Sequence, residues 1–246
     1  MTLLLALTCA YAGGGKKDFA IIYIGNSITY GALHENRNEP APPVYTSQML
    51  AKKFKANVIW RNCGWSGATT YDFLPSHNRY FPRVVKAVRE IQAETSAPIV
   101  FSIMLGTNDS ACTGPTGCPV SNENYKKNLI TIMEALKEIA PGAKFVFQRP
   151  IWYSPNTYNG AQYLVAGQKR MVAYTDVLVE IANENDDIYL GDRDAFDFFG
   201  AKHRKYMFPE DGNAGVFYLH PNEAGAKKLA HYWARAIAKV CKDITR

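Results

Sequence analysis

Residues 19–24 form an apolar run that constrains the fold more than any other part of the chain. A short run rich in isoleucine is typical of a strand buried on both faces, and such strands occur in parallel sheets that helices cover. The run ends at Gly25, Asn26 and Ser27, which places a serine at the carboxyl end of a central strand. Ligands bind at this edge of open α/β sheets. Ser27 can therefore act as a nucleophile if a histidine reaches it, or it can open a turn and cap the next helix.

The rest of the chain alternates predicted strands with predicted helices. Further strands are expected at residues 57–61, 97–105, 143–148 and 187–190, and helices at residues 44–54, 81–95, 122–140, 161–183 and 223–240. The aromatic stretch between residues 191 and 206 is expected to be irregular. The alternation predicts a parallel sheet with helices on both faces, which is a three-layer α/β/α sandwich. Because the chain shows no linker and no repeat, residues 16–246 are expected to form one domain.

Composition and charge exclude several classes of protein. Hydrophobic residues make up 47% of the chain and charged residues 20%, which is the composition of a globular protein and not of a disordered one. The formal net charge is +6, but no dense block of lysine and arginine suggests a nucleic-acid groove. No apolar run after the amino terminus is long enough to predict a transmembrane segment.

The amino terminus resembles a shortened export signal. An apolar run is followed by Ala-Tyr-Ala at residues 10–12, which fits the cleavage pattern of a signal peptide. We therefore expect residues 1–15 to be a signal-peptide remnant or a tail, and the protein to be exported to the periplasm, the cell surface or the medium. In an oxidising compartment Cys112 and Cys118, which bracket a five-residue loop, are expected to form a local disulfide. A zinc site is not expected, because no second close pair of Cys or His accompanies them.

Four residues from distant parts of the chain are candidates for a single site. Ser27, Gly67 and Asn108 follow the first three predicted strands, and His220 precedes the last helix. Parallel strands end at one edge of a sheet, so these residues can converge. His220 can take the proton of the Ser27 hydroxyl, and the oxyanion formed in acyl transfer needs preorganised donors. The backbone N–H groups of Ser27 and Gly67 and the side-chain amide of Asn108 could supply three donors.

Four segments resemble the sequence blocks of the SGNH hydrolases, which are also called the GDSL esterase/lipase family. The segments are residues 25–28, 62–69, 106–109 and 220–225. Asn26 stands where the family usually has aspartate. The resemblance implies a flavodoxin-like α/β/α fold and hydrolysis of esters by a serine nucleophile, with no cofactor and no metal. The functional residues that it implies are Ser27, Gly67, Asn108 and His220.

One position departs from the family pattern. The family usually has an aspartate three residues before the histidine, and Phe217 occupies that position here. Phenylalanine cannot accept a hydrogen bond from the imidazole, so His220 needs another acceptor. Glu210 and Asp211 are the nearest carboxylates, and Asp211 is the candidate, because Asp211-Gly212 resembles the family's Asp-Gly pair displaced by an insertion. The alternatives are that Asp211 only makes a turn, and that a backbone carbonyl supports a Ser–His dyad, which we favour from the sequence.

The resemblance leaves three interpretations of the substrate. The first is an exported carbohydrate O-acetylesterase, in which Trp65, Trp152 and Tyr153 stack on sugar rings. The second is a lysophospholipase or thioesterase of the same family, which would need an apolar channel. The third is a glycan-binding protein that has kept the fold and lost the chemistry, which the missing aspartate would explain. His34, in the loop after Ser27, could contact substrate, although exposure to solvent is the simpler expectation.

Overall fold

The computed structural model describes residues 18–36 and 40–244, so the predicted export signal lies outside the described residues. Five strands occur in this part of the chain: β1 (Phe19–Gly25), β2 (Val58–Asn62), β3 (Ile99–Met104), β4 (Lys144–Phe147) and β5 (Ile188–Leu190). The α-helices are α1 (Ser27–Tyr30), α2 (Pro42–Phe54), α3 (Phe81–Glu94), α4 (Asn122–Ile139), α5 (Leu164–Asn183), α6 (Asp194–Tyr206) and α7 (Glu223–Ile244). None of these described helices is long and apolar enough to cross a membrane.

All of the strands run parallel, in the order β2-β1-β3-β4-β5. Helices cover both faces, so the predicted three-layer α/β/α sandwich with a parallel sheet is confirmed. β1 lies between β2 and β3, and its Ile22 is opposite Arg61 on one side and Phe101 on the other. Because the strand order changes direction here, the loops after β1 and β3 border a crevice at the carboxyl edge of the sheet.

Successive side chains of β1 point to opposite faces of the sheet, and both faces are buried. This explains why the apolar run of β1 is unbroken. Ile22 and Ile24 pack into one core, with residues of α3, α4 and α5. Ile21 and Tyr23 pack into a second core on the opposite face, with residues of α2, α6 and α7. All four side chains are fully buried, since a central strand covered on both faces has no side that meets solvent.

Helix α6 contradicts the expectation of an irregular stretch between residues 191 and 206. Ala195 and Phe199, one helical turn apart, are buried in the second core. Phenylalanine has only a modest intrinsic preference for helices, and packing against α7 overrides that preference here. The distribution of charge in the sequence does indicate a helix here. Asp194 and Asp197 lie in the first turn and three basic residues lie in the last turn, which is the arrangement that the helix dipole favours.

Cys112 and Cys118 are both free thiols in the structure, so the expected local disulfide is not formed. The Cys112 thiol instead donates a hydrogen bond to the backbone oxygen of Tyr163 at 3.3 Å. This contact directs the Cys112 side chain toward the start of α5 and not across its own loop.

Gly225, in the first turn of α7, allows close packing against the end of α6. A Cβ atom on Gly225 would lie 1.9 Å from the backbone oxygen of Tyr206, which accepts a hydrogen bond from the N–H of Asn222 at 3.0 Å. Alanine normally stabilises a helix relative to glycine, but Gly225→Ala has to displace backbone atoms. We expect this substitution to lower the free energy of unfolding, measured by urea titration, by about 1–3 kcal/mol.

The control for this experiment is Ala224→Gly, at the exposed neighbouring position. It should cost at most about 1 kcal/mol, because only helix propensity changes. A Gly225→Ala protein as stable as the unmodified protein would contradict the steric argument.

Candidate functional site

Ser27 begins α1 directly after the central strand. The side-chain oxygen of Asn26 accepts a hydrogen bond from the N–H of Ile28 at 3.0 Å, so Asn26 is the N-cap of this short helix. The Ser27 side chain instead contacts a histidine, and its Oγ lies 2.9 Å from Nε2 of His220. Capping of the turn thus belongs to Asn26, and the Ser27 hydroxyl is available for chemistry.

His220 lies between Ser27 and Glu210. Its Nδ1 is 3.0 Å from each carboxylate oxygen of Glu210, and one of these oxygens also accepts a hydrogen bond from the backbone N–H of His220 at 3.1 Å. The side chains of His220 and Glu210 are only 11% and 13% exposed. A carboxylate at Nδ1 favours the tautomer with its proton on that nitrogen, which leaves Nε2 to accept the Ser27 proton. A nucleophile, a base and an orienting acid are therefore in contact.

The carboxylate that contacts His220 belongs to Glu210 and not to Asp211, which corrects the candidate taken from the sequence. The favoured alternative, a dyad supported by a backbone carbonyl, is also wrong. Glu210 and Phe217 form an antiparallel bridge with two reciprocal hydrogen bonds of 2.9 Å. Because successive residues of extended backbone point to opposite sides, Glu210 faces the ring of His220 while Asp211 is exposed at the turn.

The sequence contained a signal for this hairpin. Residues 211–215 read Asp-Gly-Asn-Ala-Gly, a composition typical of turns, and they lie between segments with buried apolar residues. A turn there brings the chain back on itself, so a carboxylate before it can reach a histidine after it. Phe217, at the family's usual acid position, is buried beside Leu219 in a third, smaller core.

Gly67 and Asn108 line the same cavity as Ser27 and His220. Gly67 has a φ of +77°, which glycine adopts without strain. A Cβ atom at this position would meet no atom within 4 Å, so any side chain here would project into open space at the cavity wall. Nδ2 of Asn108 donates one hydrogen bond to the backbone oxygen of Ala68 at 2.8 Å and has a second N–H to offer.

Asp109 joins the loop that carries Gly67 to the loop that carries Asn108. Its carboxylate accepts hydrogen bonds from the backbone N–H of Thr70 at 2.9 Å and from the N–H of Gly106 at 3.1 Å. Burial raises the pKa of Asp109 to about 6, and the hydrogen bonds from Thr70 and Gly106 act in the opposite direction. Asp109 is fully buried and does not line the cavity, so it orders the two loops without contacting a ligand.

Tyr163 holds the amide of Asn108 in one orientation. The Tyr163 hydroxyl donates a hydrogen bond to Oδ1 of Asn108 at 2.6 Å, and the tyrosine is buried immediately before α5. Rotating the amide by half a turn would set Oδ1 against the oxygen of Ala68, so the Nδ2 group keeps its place. Sequence reasoning missed Tyr163, because nothing in the local pattern connects residues 55 positions apart.

The cavity above Ser27 has a volume of about 620 Å³ and a lining of mainly small and polar residues. Besides the residues already described, its walls include Ala32, Leu33, Ser66, Gly114, Pro115, Asn159, Gly160 and Ala161. Over the described part of the chain, no group of three or more His, Cys, Asp and Glu side chains is arranged to hold a metal ion.

The three aromatic residues predicted to stack on sugars are not among the described residues that line this cavity. Tyr153 is fully buried in the third core. Trp152 stacks on His203 with 4.9 Å between the ring centroids, and the guanidinium of Arg83 lies 4.7 Å from the ring of Trp65. Because none of the three rings lines the cavity above Ser27, they do not form the predicted sugar-stacking wall at this cavity.

The sequence matches the GDSL-like Lipase/Acylhydrolase family over residues 23–228. No curated protein matches it. Among solved structures, the acetylxylan esterase Axe2 from Geobacillus stearothermophilus is similar with a TM-score of 0.62 and 18% identity, over 91% of this chain and 96% of that chain. LAE5, an alpha/beta hydrolase enzyme from the metagenome of Lake Arreo, Spain, has a TM-score of 0.63 and 21% identity, over 89% and 95% of the two chains. A lipase/acylhydrolase from Enterococcus faecalis has a TM-score of 0.60 and 17% identity, over 90% and 96%.

At 17–21% identity these three structures show the fold alone. The family match shows more than the fold, because it covers most of the chain. It runs from within β1 to the first turns of α7 and includes Ser27, Glu210 and His220. The chain therefore belongs to the GDSL-like lipase/acylhydrolase family and is an ester hydrolase.

Proposed function

We propose that this ester hydrolase removes short acyl groups, above all acetyl groups, from the hydroxyl groups of carbohydrates, with Ser27 as its nucleophile. One observation carries the catalytic part of the proposal. Ser27 Oγ, the His220 ring and the Glu210 carboxylate form a hydrogen-bonded series with distances of 2.9 and 3.0 Å.

The proposed reaction begins when Nε2 of His220 takes the Ser27 proton as Oγ bonds to the ester carbonyl carbon. The carbonyl electrons move to oxygen, and the N–H groups of Ser27, Gly67 and Asn108 stabilise the oxyanion. When the intermediate collapses, the bond to the alcohol oxygen breaks and His220 returns the proton to that oxygen. A water molecule then attacks the acyl group on Ser27 while His220 takes its proton. When this second intermediate collapses, His220 returns the proton to Ser27 Oγ and the carboxylic acid leaves. Glu210 orients the ring throughout and balances the charge of the imidazolium.

The lining of the cavity supports a small acyl group. Ala32, Gly160 and Ala161 leave room near Ser27, while Ser66 and Asn159 make parts of the wall polar. A long acyl chain would need a continuous apolar channel, and the polar Ser66 and Asn159 interrupt this wall. An acetyl group on a carbohydrate also agrees with the acetylxylan esterase activity named for one structural neighbour.

Glu210 removes the reason for considering a non-catalytic, glycan-binding relative. That alternative rested on the phenylalanine at the family's usual acid position. The Glu210 carboxylate contacts His220 from the opposite side of a hairpin. The proposed mechanism therefore has a nucleophile, a base and an orienting acid.

Ser27→Ala should abolish hydrolysis of 4-nitrophenyl acetate while leaving the urea unfolding transition unchanged, because only the nucleophilic oxygen is lost. The unmodified protein should hydrolyse the acetate faster than the octanoate and release acetate from acetylated xylan. Near-normal activity of the folded Ser27→Ala protein would refute the nucleophile. A preference for octanoate would favour a lysophospholipase or thioesterase instead.

Glu210→Gln should lower kcat for 4-nitrophenyl acetate by about 10³–10⁴-fold, because an amide can stabilise the wrong tautomer of His220 and cannot balance the imidazolium charge. Asp211→Asn is the matched control, as it makes the same chemical change at the exposed neighbouring position. The control should keep its kcat. A large loss in Asp211→Asn, with a small loss in Glu210→Gln, would reverse the assignment.

Tyr163→Phe should lower kcat about five- to tenfold with little change in KM, because a hydrogen bond worth about 1 kcal/mol no longer holds the Asn108 amide. Asn108→Ala should lower kcat by about 10²–10³-fold. If Tyr163 acts through Asn108, adding Tyr163→Phe to Asn108→Ala should change kcat little further. Independent, multiplicative losses in the double variant would show that Tyr163 acts in another way.

A further inference from the structure

A second, larger cavity of about 890 Å³ adjoins the cavity above Ser27. Leu33 lines both of them and is 55% exposed, so its side chain forms part of the ridge between them. The described walls of the second cavity come from the loop after α1, from α2 and from the start of α7. None of the proposed catalytic groups is among these described wall residues, so the reaction does not account for this cavity.

The second cavity lies next to His220. Its wall residue Phe208 donates its backbone N–H to the oxygen of His220 at 2.9 Å, and Asn222 follows the histidine by two residues. The ring of a second wall residue, His34, contacts Phe208 with 5.4 Å between centroids. The walls are therefore tied by direct contacts to the residue that would protonate the leaving group.

The reaction chemistry places the alcohol portion of the ester beside His220. The general acid His220 must reach the leaving oxygen, so the alcohol has to start beside Nε2, while the oxyanion points toward Gly67 and Asn108. One route for a substituent on that alcohol runs past His220 toward the second cavity. Leu33 is the shared wall over which it would pass from one cavity to the other.

The described lining of the second cavity combines aromatic rings with groups that hydrogen-bond. The rings belong to His34, Tyr45 and Phe208. The Tyr45 hydroxyl donates a hydrogen bond to Glu223 at 3.2 Å, and Lys227 forms an ion pair with Glu223 at 2.7 Å. The Lys227 ammonium also lies 5.2 Å from the centroid of the Tyr45 ring, so the lysine covers part of this aromatic wall. Rings and polar groups together suit a ligand that has both apolar faces and many hydroxyl groups.

Charge argues against an anionic occupant. The described walls carry the carboxylates of Glu35 and Glu223 and the ammonium of Lys227, which is already paired with Glu223. Burial lowers the pKa of His34 below its ordinary value of 6.5, which favours the neutral imidazole. Carboxylates accept hydrogen bonds from hydroxyl groups and repel phosphates, so the charges of the described walls favour a neutral occupant.

We propose that the second cavity binds the alcohol portion of the substrate as a neutral chain of pyranose units, with the ring of Tyr45 as one contact surface. The inference rests on the proposed function, since it assumes a carbohydrate ester cleaved at Ser27. The sugar chain binds in the second cavity, and Tyr45 is a residue that selects for it.

The test compares two esters that share the acetyl group and differ in the alcohol, 4-nitrophenyl acetate and acetylated xylotriose. Tyr45→Ala should lower kcat/KM for acetylated xylotriose about tenfold and leave kcat/KM for 4-nitrophenyl acetate unchanged. Tyr45→Phe, which keeps the ring, should lie close to the unmodified protein for both esters. Gln48→Ala, at an exposed position of α2 outside the cavity walls, is the control and should change neither value.

A second measurement uses xylotriose without acetyl groups as an inhibitor of 4-nitrophenyl acetate hydrolysis. It should inhibit the unmodified protein, and Tyr45→Ala should raise its inhibition constant about tenfold. Equal kcat/KM values for acetylated xylotriose in Tyr45→Ala and the unmodified protein, with unchanged inhibition by xylotriose, would overturn the inference. An equal loss toward both esters would also overturn it, because Tyr45 would then support the catalytic groups.

The inference and the proposed function fail in different ways. If the unmodified protein cleaves both esters and Ser27→Ala cleaves neither, the proposed function stands, and the Tyr45 variants alone decide the inference. If the unmodified protein cleaves 4-nitrophenyl acetate but not acetylated xylotriose, and xylotriose does not inhibit it, the carbohydrate part of the proposed function and the inference are both wrong. If it cleaves neither ester, the proposed function is wrong and the inference falls with it.

Discussion

The parallel pairing of β1 with β2 and β3 is the constraint on which the site depends. Backbone hydrogen bonds align the ends of these three strands, so the loops that carry Ser27, Gly67 and Asn108 leave the sheet at one edge. Because the strand order changes direction at β1, a crevice opens between these loops. β1 is fully buried on both faces, and a close-packed core gives the serine a rigid support.

Buried polar contacts then fix the loops on this support. A carboxylate such as that of Asp109 is costly to bury, and its hydrogen bonds with Thr70 and Gly106 offset that cost. Asn108 is held at both ends of its amide, by the Ala68 oxygen and by the Tyr163 hydroxyl. Donors that are fixed before substrate arrives need no reorganisation during the reaction, which is where such groups contribute most to catalysis.

Catalysis by His220 depends on where a carboxylate lies in space and not on how far it lies from the histidine along the chain. His220 needs a carboxylate at Nδ1, and a hairpin brings Glu210 there from ten residues away. The position three residues before the histidine is then available for packing, and Phe217 fills the third core. The acid and the core residue thus occupy positions that the usual family spacing would not predict.

The sequence by itself determined the α/β/α fold and most element positions, because apolar periodicity and small residues at strand ends are local properties. It also nominated Ser27, Gly67, Asn108 and His220, which the structure brings to one cavity. Helix α6, Glu210 and Tyr163 were decided only in the tertiary structure, as was the use of the tryptophans in packing. Each of these depends on which side chains meet across the fold, and the direction of a side chain in a hairpin or at a helix start is set by partners far away in sequence.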